Sequence, residues 1–131
     1  METFNKVLLI DDDDIVNSIN KVIIQHAKFA SEVVALTNVS EAISFLNEAG
    51  KNGGLPQVIF LDLNMPDRNG WDFMDEFGKI EDKAKTKVIM LTSSISSKDE
   101  ERARSSEDIA AFISKPLSPE LLENIYEVHL S

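Results

Sequence analysis

The chain has 131 residues, of which 43% are hydrophobic, and it contains no cysteine. This length fits one domain with a complete hydrophobic core, and the lack of cysteine excludes a disulfide framework and a thiolate metal site. The formal net charge of −10 argues against direct binding to nucleic acid or to an anionic membrane.

The first strand and helix are predicted from an apolar run and a helical repeat. Residues 6–10 form a short apolar run that predicts a buried strand, and the acidic residues Asp11 and Asp12 follow it. Either Asp13 or Asp14 is expected to cap the next helix, whose first turn favours negative charge. The apolar residues of this helix repeat at the spacing of one face, which we expect to pack inward. They are Ile15, Ile19, Val22, Ile23 and Ala27.

The next two strands flank a second helix. Residues 32–36 predict the second strand, and a helix is expected to begin at Asn38 and to stop at Gly50. Residues 58–61, with the sequence VIFL, form a continuous apolar run that predicts a strand buried on both faces. Asp62 ends this run, and a carboxylate at that position is costly to bury unless another group pairs with it.

The third and fourth helices differ in apolar content. Residues 71–77 predict a short helix with three inward side chains, namely Phe73, Met74 and Phe77. Residues 87–91 predict another buried strand, which ends at Thr92. Residues 96–106 have helical propensity but almost no apolar face, so we expect a loosely held helix that buries Ala103.

The last strand and helix complete a regular alternation. Residues 109–113 predict the fifth strand, with Lys115 close behind, and Ser118 is expected to cap a final helix with Pro119 at its first position. The residues expected to pack this helix are Leu121, Leu122, Ile125 and Val128. Five strands that alternate with five helices predict an α/β fold with a doubly wound, five-stranded parallel sheet. The even composition predicts one domain over residues 1–131, without an output domain.

Four of the five predicted strands are followed by polar or charged residues, and parallel strands bring these residues to one edge of the sheet. They are Asp11, Asp12, Asp62, Thr92 and Lys115. Acidic residues from two strands form an oxygen site of the kind that Mg²⁺ prefers, and Lys115 offsets part of their repulsion. An aspartate can also act as a nucleophile toward a phosphoryl group whose oxygens are neutralised by cations and a hydroxyl.

Four segments, LLIDDDD, IFLDLNMPDRNG, IMLTSS and FISKPLS, occur in this order at the predicted strand ends. Through these segments the chain resembles, over essentially its whole length, the receiver domains of two-component response regulators, of the stand-alone kind typified by the chemotaxis regulator. The resemblance implies a flavodoxin-like fold with strand order 2-1-3-4-5. It also implies autocatalysed phosphoryl transfer from the phosphohistidine of a histidine kinase to Asp62, with autodephosphorylation, in a signalling module rather than an enzyme.

The resemblance further implies a metal site built from oxygen ligands. Mg²⁺, or Mn²⁺ in its place, would be ligated by Asp12, by Asp62 and by the backbone carbonyl of Asn64. Asp11 would act on the ion mainly through a water. Such an oxygen-only set matches the ligand preference of these hard cations.

Other roles implied by the resemblance concern the phosphoryl group and the switch. Thr92 and Lys115 would bind the phosphoryl group, and the peptide bond that follows Lys115 would be cis. Phe112 falls at the position of the family's switch aromatic. Asn64 and Ser94 fall at the positions through which receivers tune dephosphorylation.

The implied partners are a sensor histidine kinase or a phosphotransfer protein, and a downstream protein. The downstream protein is expected to contact the fourth helix, the fifth strand and the fifth helix, where phosphorylation would shift an existing equilibrium. The first residues lack the apolar segment of a signal peptide, and no apolar run reaches membrane-spanning length. We therefore expect a cytoplasmic protein.

The sequence also allows two alternatives. In the first, the chain resembles the haloacid dehalogenase-type phosphatases, with Asp11 as nucleophile and Asp13 as acid and base, followed by Thr92 and Lys115. The sequence lacks the acidic pair after Lys115 that would complete the metal site of such a phosphatase, and Asp62 would have no role in it. In the second, the chain is a degenerate receiver that serves only as a binding scaffold, although all the phosphorylation residues are present.

Overall fold

The computed structural model describes residues 2–93 and 96–130. Its strands are β1 (Phe4–Ile10), β2 (Ala30–Leu36), β3 (Val58–Leu61), β4 (Lys87–Thr92) and β5 (Ile109–Ser114). Its α-helices are α1 (Asp14–His26), α2 (Val39–Lys51), α3 (Gly70–Phe77), α4 (Ser97–Arg104) and α5 (Pro119–Ile125). All strands are parallel, in the order β2-β1-β3-β4-β5, which confirms the predicted doubly wound, flavodoxin-like sheet.

The side chains of β1 and β3 alternate between two cores. The core beneath α2, α3 and α4 contains Leu8, Ile10, Ile59 and Leu61. The core beneath α1 and α5 contains Val7, Leu9, Val58 and Phe60. Burial on both faces explains why these strands are continuous apolar runs. Because Ile10 pairs with Leu61, the residues that follow them, Asp11 and Asp62, emerge side by side at the carboxyl edge of the sheet.

Helix α1 forms where it is predicted, with Asp13 as its N-cap, but the predicted packing face is wrong for three of its five residues. Three of the residues assigned to that face are exposed, namely Ile15 (71%), Ile19 (54%) and Val22 (64%). The residues that α1 buries are Asn17, Asn20 and Ile24, with Ile23 and Ala27 partly buried beside them. The helix therefore turns two asparagines toward the sheet and keeps much of its apolar surface in solvent.

The orientation of α1 follows from polar groups at the edge of the sheet. The amide of Asn17, which is 3% exposed, donates to the main-chain carbonyl of Asp11 at 2.9 Å and to that of Leu36 at 3.3 Å. These carbonyls lie at the ends of β1 and β2, where buried backbone groups need hydrogen-bond partners. An apolar side chain in the place of Asn17 would remove both bonds, so the polar requirement decides which face of the helix is buried.

Helix α5 is shorter than predicted, and its last predicted packing residue is exposed. Leu122 and Ile125 are fully buried, as expected. The α-helix then ends at Ile125, and the chain continues as a π-helical segment, Tyr126–Leu130. The wider turn changes the direction of the side chains, so Val128 is 64% exposed, while the first and last residues of the segment pack against the core.

Helices α2 and α4 form close to their predicted positions. Helix α2 passes Gly50 and ends at Lys51, because the left-handed residue that turns the chain is Gly53, with a φ of 69°. Helix α4 is capped by Ser96, and Ala103 is its buried residue. This confirms the prediction that α4 has almost no apolar face to pack against the core. No helix in the two described segments is long and apolar enough to cross a membrane.

Candidate functional site

Lys115 links two buried aspartates at the carboxyl edge of the sheet. Its Nζ donates a hydrogen bond to Asp11 Oδ2 at 2.7 Å and lies 3.4 Å from Asp62 Oδ1. The main-chain N–H of Lys115 donates to the carbonyl of Thr92 at 2.9 Å, which continues the pairing of β4 and β5 past the ends of the strands. This bond positions the lysine over the pocket. The Lys115–Pro116 peptide bond that follows is cis, as the resemblance implied.

The neighbours of Lys115 stabilise its protonated form. Burial of the ammonium lowers the pKa of Lys115, but the hydrogen bond to Asp11 and the charges of Asp62 and Asp11 raise it by more. The net shift is upward from the usual lysine value of 10.5. Lys115 is therefore a fixed cation in the pocket at neutral pH.

Three carboxylates converge on the same pocket. Asp11, Asp12 and Asp62 each offer an oxygen, and these oxygens lie within 4.8 Å of one another. Asp11 and Asp62 are 5% and 6% exposed, whereas Asp12 faces solvent. Burial raises the pKa of Asp62 from 3.8 to about 6, and the charge of Asp11 adds to the rise, while Lys115 opposes it. Lys115 balances one of these negative charges, so a divalent cation with oxygen ligands fits the donor set.

Thr92 lies between the loops that follow β3 and β4. It is fully buried, and its Oγ1 accepts a hydrogen bond from the side-chain Nδ2 of Asn64 at 3.4 Å. Asn64 itself is exposed in the loop that follows Asp62. Phe112 lies in β5 and is partly buried against the core beneath α4. The predicted tuning residue Ser94 lies outside the described residues.

The side chain of Asp13 serves the helix rather than the pocket. Its Oδ1 accepts hydrogen bonds from the main-chain N–H groups of Ile15 and Val16, at 2.9 and 3.2 Å. Its own N–H donates to Asp11 Oδ1 at 2.9 Å. The phosphatase alternative requires Asp13 as the acid and base of the reaction. A carboxylate engaged by two backbone donors of α1 disfavours that alternative.

Two residues that support the pocket were not predicted from the sequence. Asn17 fixes the main chain of Asp11, and the signal for it was a pair of asparagines, Asn17 and Asn20, inside an apolar helical repeat. Gly70 donates its N–H to the carbonyl of Leu63 at 2.9 Å. A Cβ on Gly70 would lie 3.0 Å from Leu63 Cα and 3.1 Å from the carbonyl oxygen of Asp62, so the loop after β3 closes against a glycine.

The chain is similar to known proteins over nearly its whole length. The sequence model of the family described as response regulator receiver domain matches residues 7–127. A two-component response regulator from Cytophaga hutchinsonii has a similar structure, with a TM-score of 0.89 and 38% identity over 96% of each chain. The chemotaxis response regulator CheY4 of Vibrio cholerae is also similar, with a TM-score of 0.77 and 25% identity over 95% of this chain and 98% of that chain.

Two curated relatives carry regulatory names. The response regulator Rcp1 of Synechocystis sp. is 27% identical over 90 residues, which cover 67% of this chain and 61% of Rcp1. A protein of Methanothrix harundinacea named probable methanogenesis regulatory protein FilR2 is 26% identical over 122 residues, which cover 92% of this chain and 78% of FilR2. The matched part of the chain thus spans less than two thirds of the length of Rcp1.

Proposed function

The chain belongs to the response regulator receiver domain family, and we propose that Asp62 accepts a phosphoryl group from the phosphohistidine of a sensor histidine kinase or a phosphotransfer protein. The transfer is autocatalytic, depends on Mg²⁺, takes place in the cytoplasm and switches the affinity of the chain for a downstream protein. The observation that carries the proposal is the position of Lys115 Nζ, 2.7 Å from Asp11 and 3.4 Å from Asp62. Charge neutralisation is what phosphoryl transfer demands most of a protein.

The carboxylate cluster fits a bound Mg²⁺. The oxygens of Asp11, Asp12 and Asp62 lie within 4.8 Å of one another, all are hard donors, and their summed charge exceeds that of Lys115. These three residues and the main-chain carbonyl of Asn64 would hold the ion, and Mn²⁺ suits the same ligands. When bound, the ion supplies positive charge to the oxygens of the phosphoryl group.

Asp62 acts as the nucleophile in this proposal. A carboxylate oxygen forms a bond to phosphorus while the P–N bond to the donor imidazole breaks, and the imidazole keeps the electron pair. Burial and then the charge of Asp11 raise the pKa of Asp62 to about 6, so its carboxylate is mainly ionised and reactive at neutral pH. Lys115 and the hydroxyl of Thr92 stabilise the charge on the phosphoryl oxygens. Asn64 and Ser94 tune the rate of dephosphorylation.

The phosphodonor docks on the exposed side of α1. Ile15, Ile19 and Val22 are exposed there and lie on one side of the helix, at the spacing i, i+4 and i+7. Because α1 begins two residues after Asp12, a protein that reaches the pocket must also cover the first turns of α1. An apolar helix face beside an acidic pocket suits a helical partner that delivers a phosphorylated side chain.

The downstream protein binds the face formed by α4, β5 and α5. A cleft of about 230 Å³ opens between α4, β5 and the π-helical segment that follows α5, and its lining includes Ala103, Arg104, Phe112 and His129. Phosphorylation shifts an existing two-state equilibrium of the face through the contact of Thr92 with the phosphoryl group and the packing of Phe112. Two features support this assignment, namely the cleft and the small apolar contact between α4 and the core.

Incubation with acetyl phosphate and Mg²⁺, followed by measurement of the intact mass, tests the proposal. We expect one added phosphoryl group on the wild-type chain, and none when Mg²⁺ is chelated or when Asp62→Asn replaces the nucleophile. Asp13→Asn is the matched control. It makes the same isosteric change in an acidic residue that caps α1, and it should be labelled like the wild type.

Two results would overturn the proposal in different ways. Labelling that persists in Asp62→Asn but disappears in Asp11→Asn would support the phosphatase alternative. Failure to label a folded wild-type chain that binds Mg²⁺ would support the scaffold alternative.

A further inference from the structure

Trp71, the one tryptophan of the chain, joins the first turn of α3 to α4. Its indole Nε1–H donates a hydrogen bond to Asp99 Oδ1 at 3.1 Å. The guanidinium carbon of Arg102 lies 4.2 Å from the centre of the indole ring, which is the geometry of a cation–π contact. Asp99 and Arg102 are three residues apart on α4 and therefore share one face of the helix. We call the three residues the Trp71 latch.

The latch matters because α4 has few other attachments. Among the described residues, Ala103 is the side chain that α4 buries, and most of its other side chains are charged. Asp99 also fixes the start of the helix, because its N–H donates to Ser96 Oγ at 3.1 Å and its Oδ2 accepts from Ser96 Oγ at 2.9 Å. Release of Trp71 would therefore detach the N-terminal half of α4 from the core.

The other end of the latch rests on the loop that carries Asp62. Gly70, the residue before Trp71, donates its N–H to the carbonyl of Leu63 at 2.9 Å. The space above Gly70 is closed by the backbone, since a Cβ there would lie 3.1 Å from the carbonyl oxygen of Asp62. Any displacement of this backbone therefore moves the residue next to Trp71 directly.

We propose that the Trp71 latch couples the loop of Asp62 to α4 and holds α4 in the position seen here until Asp62 is phosphorylated. The proposal rests on the proposed function of Asp62, and it adds a second route to α4 beside the one through Thr92. Since coupling between two sites is reciprocal, a latch that opposes the movement of α4 also opposes occupation of the phosphoryl site. Weakening of the latch should therefore mobilise α4 and favour the phosphorylated state.

Amide hydrogen exchange of the unphosphorylated protein tests the latch without reference to Asp62. In Trp71→Phe, which loses the indole N–H, and in Arg102→Gln, which loses the cation, we expect the α4 amides to exchange at least about threefold faster. Arg104→Gln is the matched control, because it removes the same charge from the same last turn but from a residue that pairs with Glu100. Amides of β1 and β3 report global unfolding in each variant.

The same variants are then titrated with beryllofluoride, a mimic of the phosphoryl group, in the presence of Mg²⁺. Its binding is measured by fluorine NMR. Exchange of the α4 amides is followed in every protein, and Trp71 fluorescence is followed in the wild type and in Arg102→Gln. We expect the wild type to respond in both, and Trp71→Phe and Arg102→Gln to bind the mimic a few-fold more tightly.

Two failures are distinguishable in these experiments. Equal α4 exchange in the wild type, Trp71→Phe and Arg102→Gln would overturn the latch. Equal binding of beryllofluoride by the wild type and by Asp62→Asn would overturn the function proposed for Asp62. The exchange result for the Trp71 latch would not be affected, because it is measured on the unphosphorylated protein.

Discussion

Helices α1 and α4 begin at the same edge of the sheet, each just after a strand that delivers a site residue, yet they are held in opposite ways. Helix α1 has more apolar residues than it buries, and it turns two asparagines toward the sheet. Helix α4 buries one alanine and is fastened through polar contacts to a tryptophan. Near this pocket, hydrogen bonds to backbone and to charged side chains decide where a helix sits, and apolar pattern alone misleads.

The largest loss of stability from disturbing either helix is expected within α1. Asn17→Ala should lower the free energy of unfolding by about 2 to 3 kcal/mol, because the carbonyl of Asp11 loses its side-chain donor and that of Leu36 keeps only the main-chain N–H of Asp11. Ile19→Ala is the matched control on the same helix. Its side chain is 54% exposed, so the loss should stay within about 0.5 kcal/mol. Urea unfolding measures both, and a larger loss in Ile19→Ala would contradict the packing described for α1.

A second effect is expected in the pH dependence of the free energy of unfolding. The pKa of Asp62 is raised from 3.8 to about 6, so above pH 6 the native state holds a buried charge that the unfolded state keeps in water. The native state takes up the proton first as the pH falls, so the penalty decreases below pH 6 and is lost below about pH 3.8. Asp62→Asn should therefore raise the free energy of unfolding by about 2 to 3 kcal/mol at about pH 8 and by less than about 1 kcal/mol near pH 4.

Amide exchange extends this test to the two helices. Amides of α1 that exchange through global unfolding should slow in Asp62→Asn at about pH 8, whereas those of α4, which open locally, should change little. A gain in stability that persists at pH 4 would show that the raised pKa of Asp62 is not its cause.

A third and smaller effect is expected within α4. Ala103→Asp places a charge against the core beneath α4, so the helix should detach and its amides should lose protection. The free energy of global unfolding should fall by only about 1 kcal/mol, because α4 contributes little apolar burial. Glu101→Ala, an exposed change on the same helix, should leave both measurements near the wild type. A global loss in Ala103→Asp as large as that in Asn17→Ala would mean that α4 is anchored as firmly as α1.

The smallest effect on stability is expected on the exposed side of α1. Ile19→Lys should leave unfolding and labelling by acetyl phosphate within about 0.5 kcal/mol and twofold of the wild type. Transfer from a phosphohistidine protein that labels the wild type should slow by about tenfold or more, because the docking face loses an apolar contact. Val128→Lys, an equally apolar and exposed residue on the C-terminal segment, serves as the control. Equal rates in the two variants would remove α1 from the donor interface.

The fold and the pocket were predictable because both depend on local sequence signals. Each central strand is an apolar run closed by a polar residue, and parallel pairing then brings Asp11, Asp62 and Lys115 together at one edge. The inner face of α1 was not predictable from apolar spacing, since Asn17 donates to the residue after β1 and to the last residue of β2, which only the tertiary fold brings together. The same holds for the link from Trp71 to α4, whose members are 28 residues apart and are joined only by the tertiary fold.

Locating the phosphoryl label on the chain shows directly whether Asp62 carries it. After incubation with acetyl phosphate and Mg²⁺, borohydride reduces an aspartyl phosphate to homoserine, which tandem mass spectrometry of the peptides assigns to one position. We predict homoserine at position 62 in the wild type and in Asp13→Asn, and none at that position when Mg²⁺ is chelated. Homoserine at position 11, with position 62 unmodified, would show that Asp62 is not the phosphoacceptor.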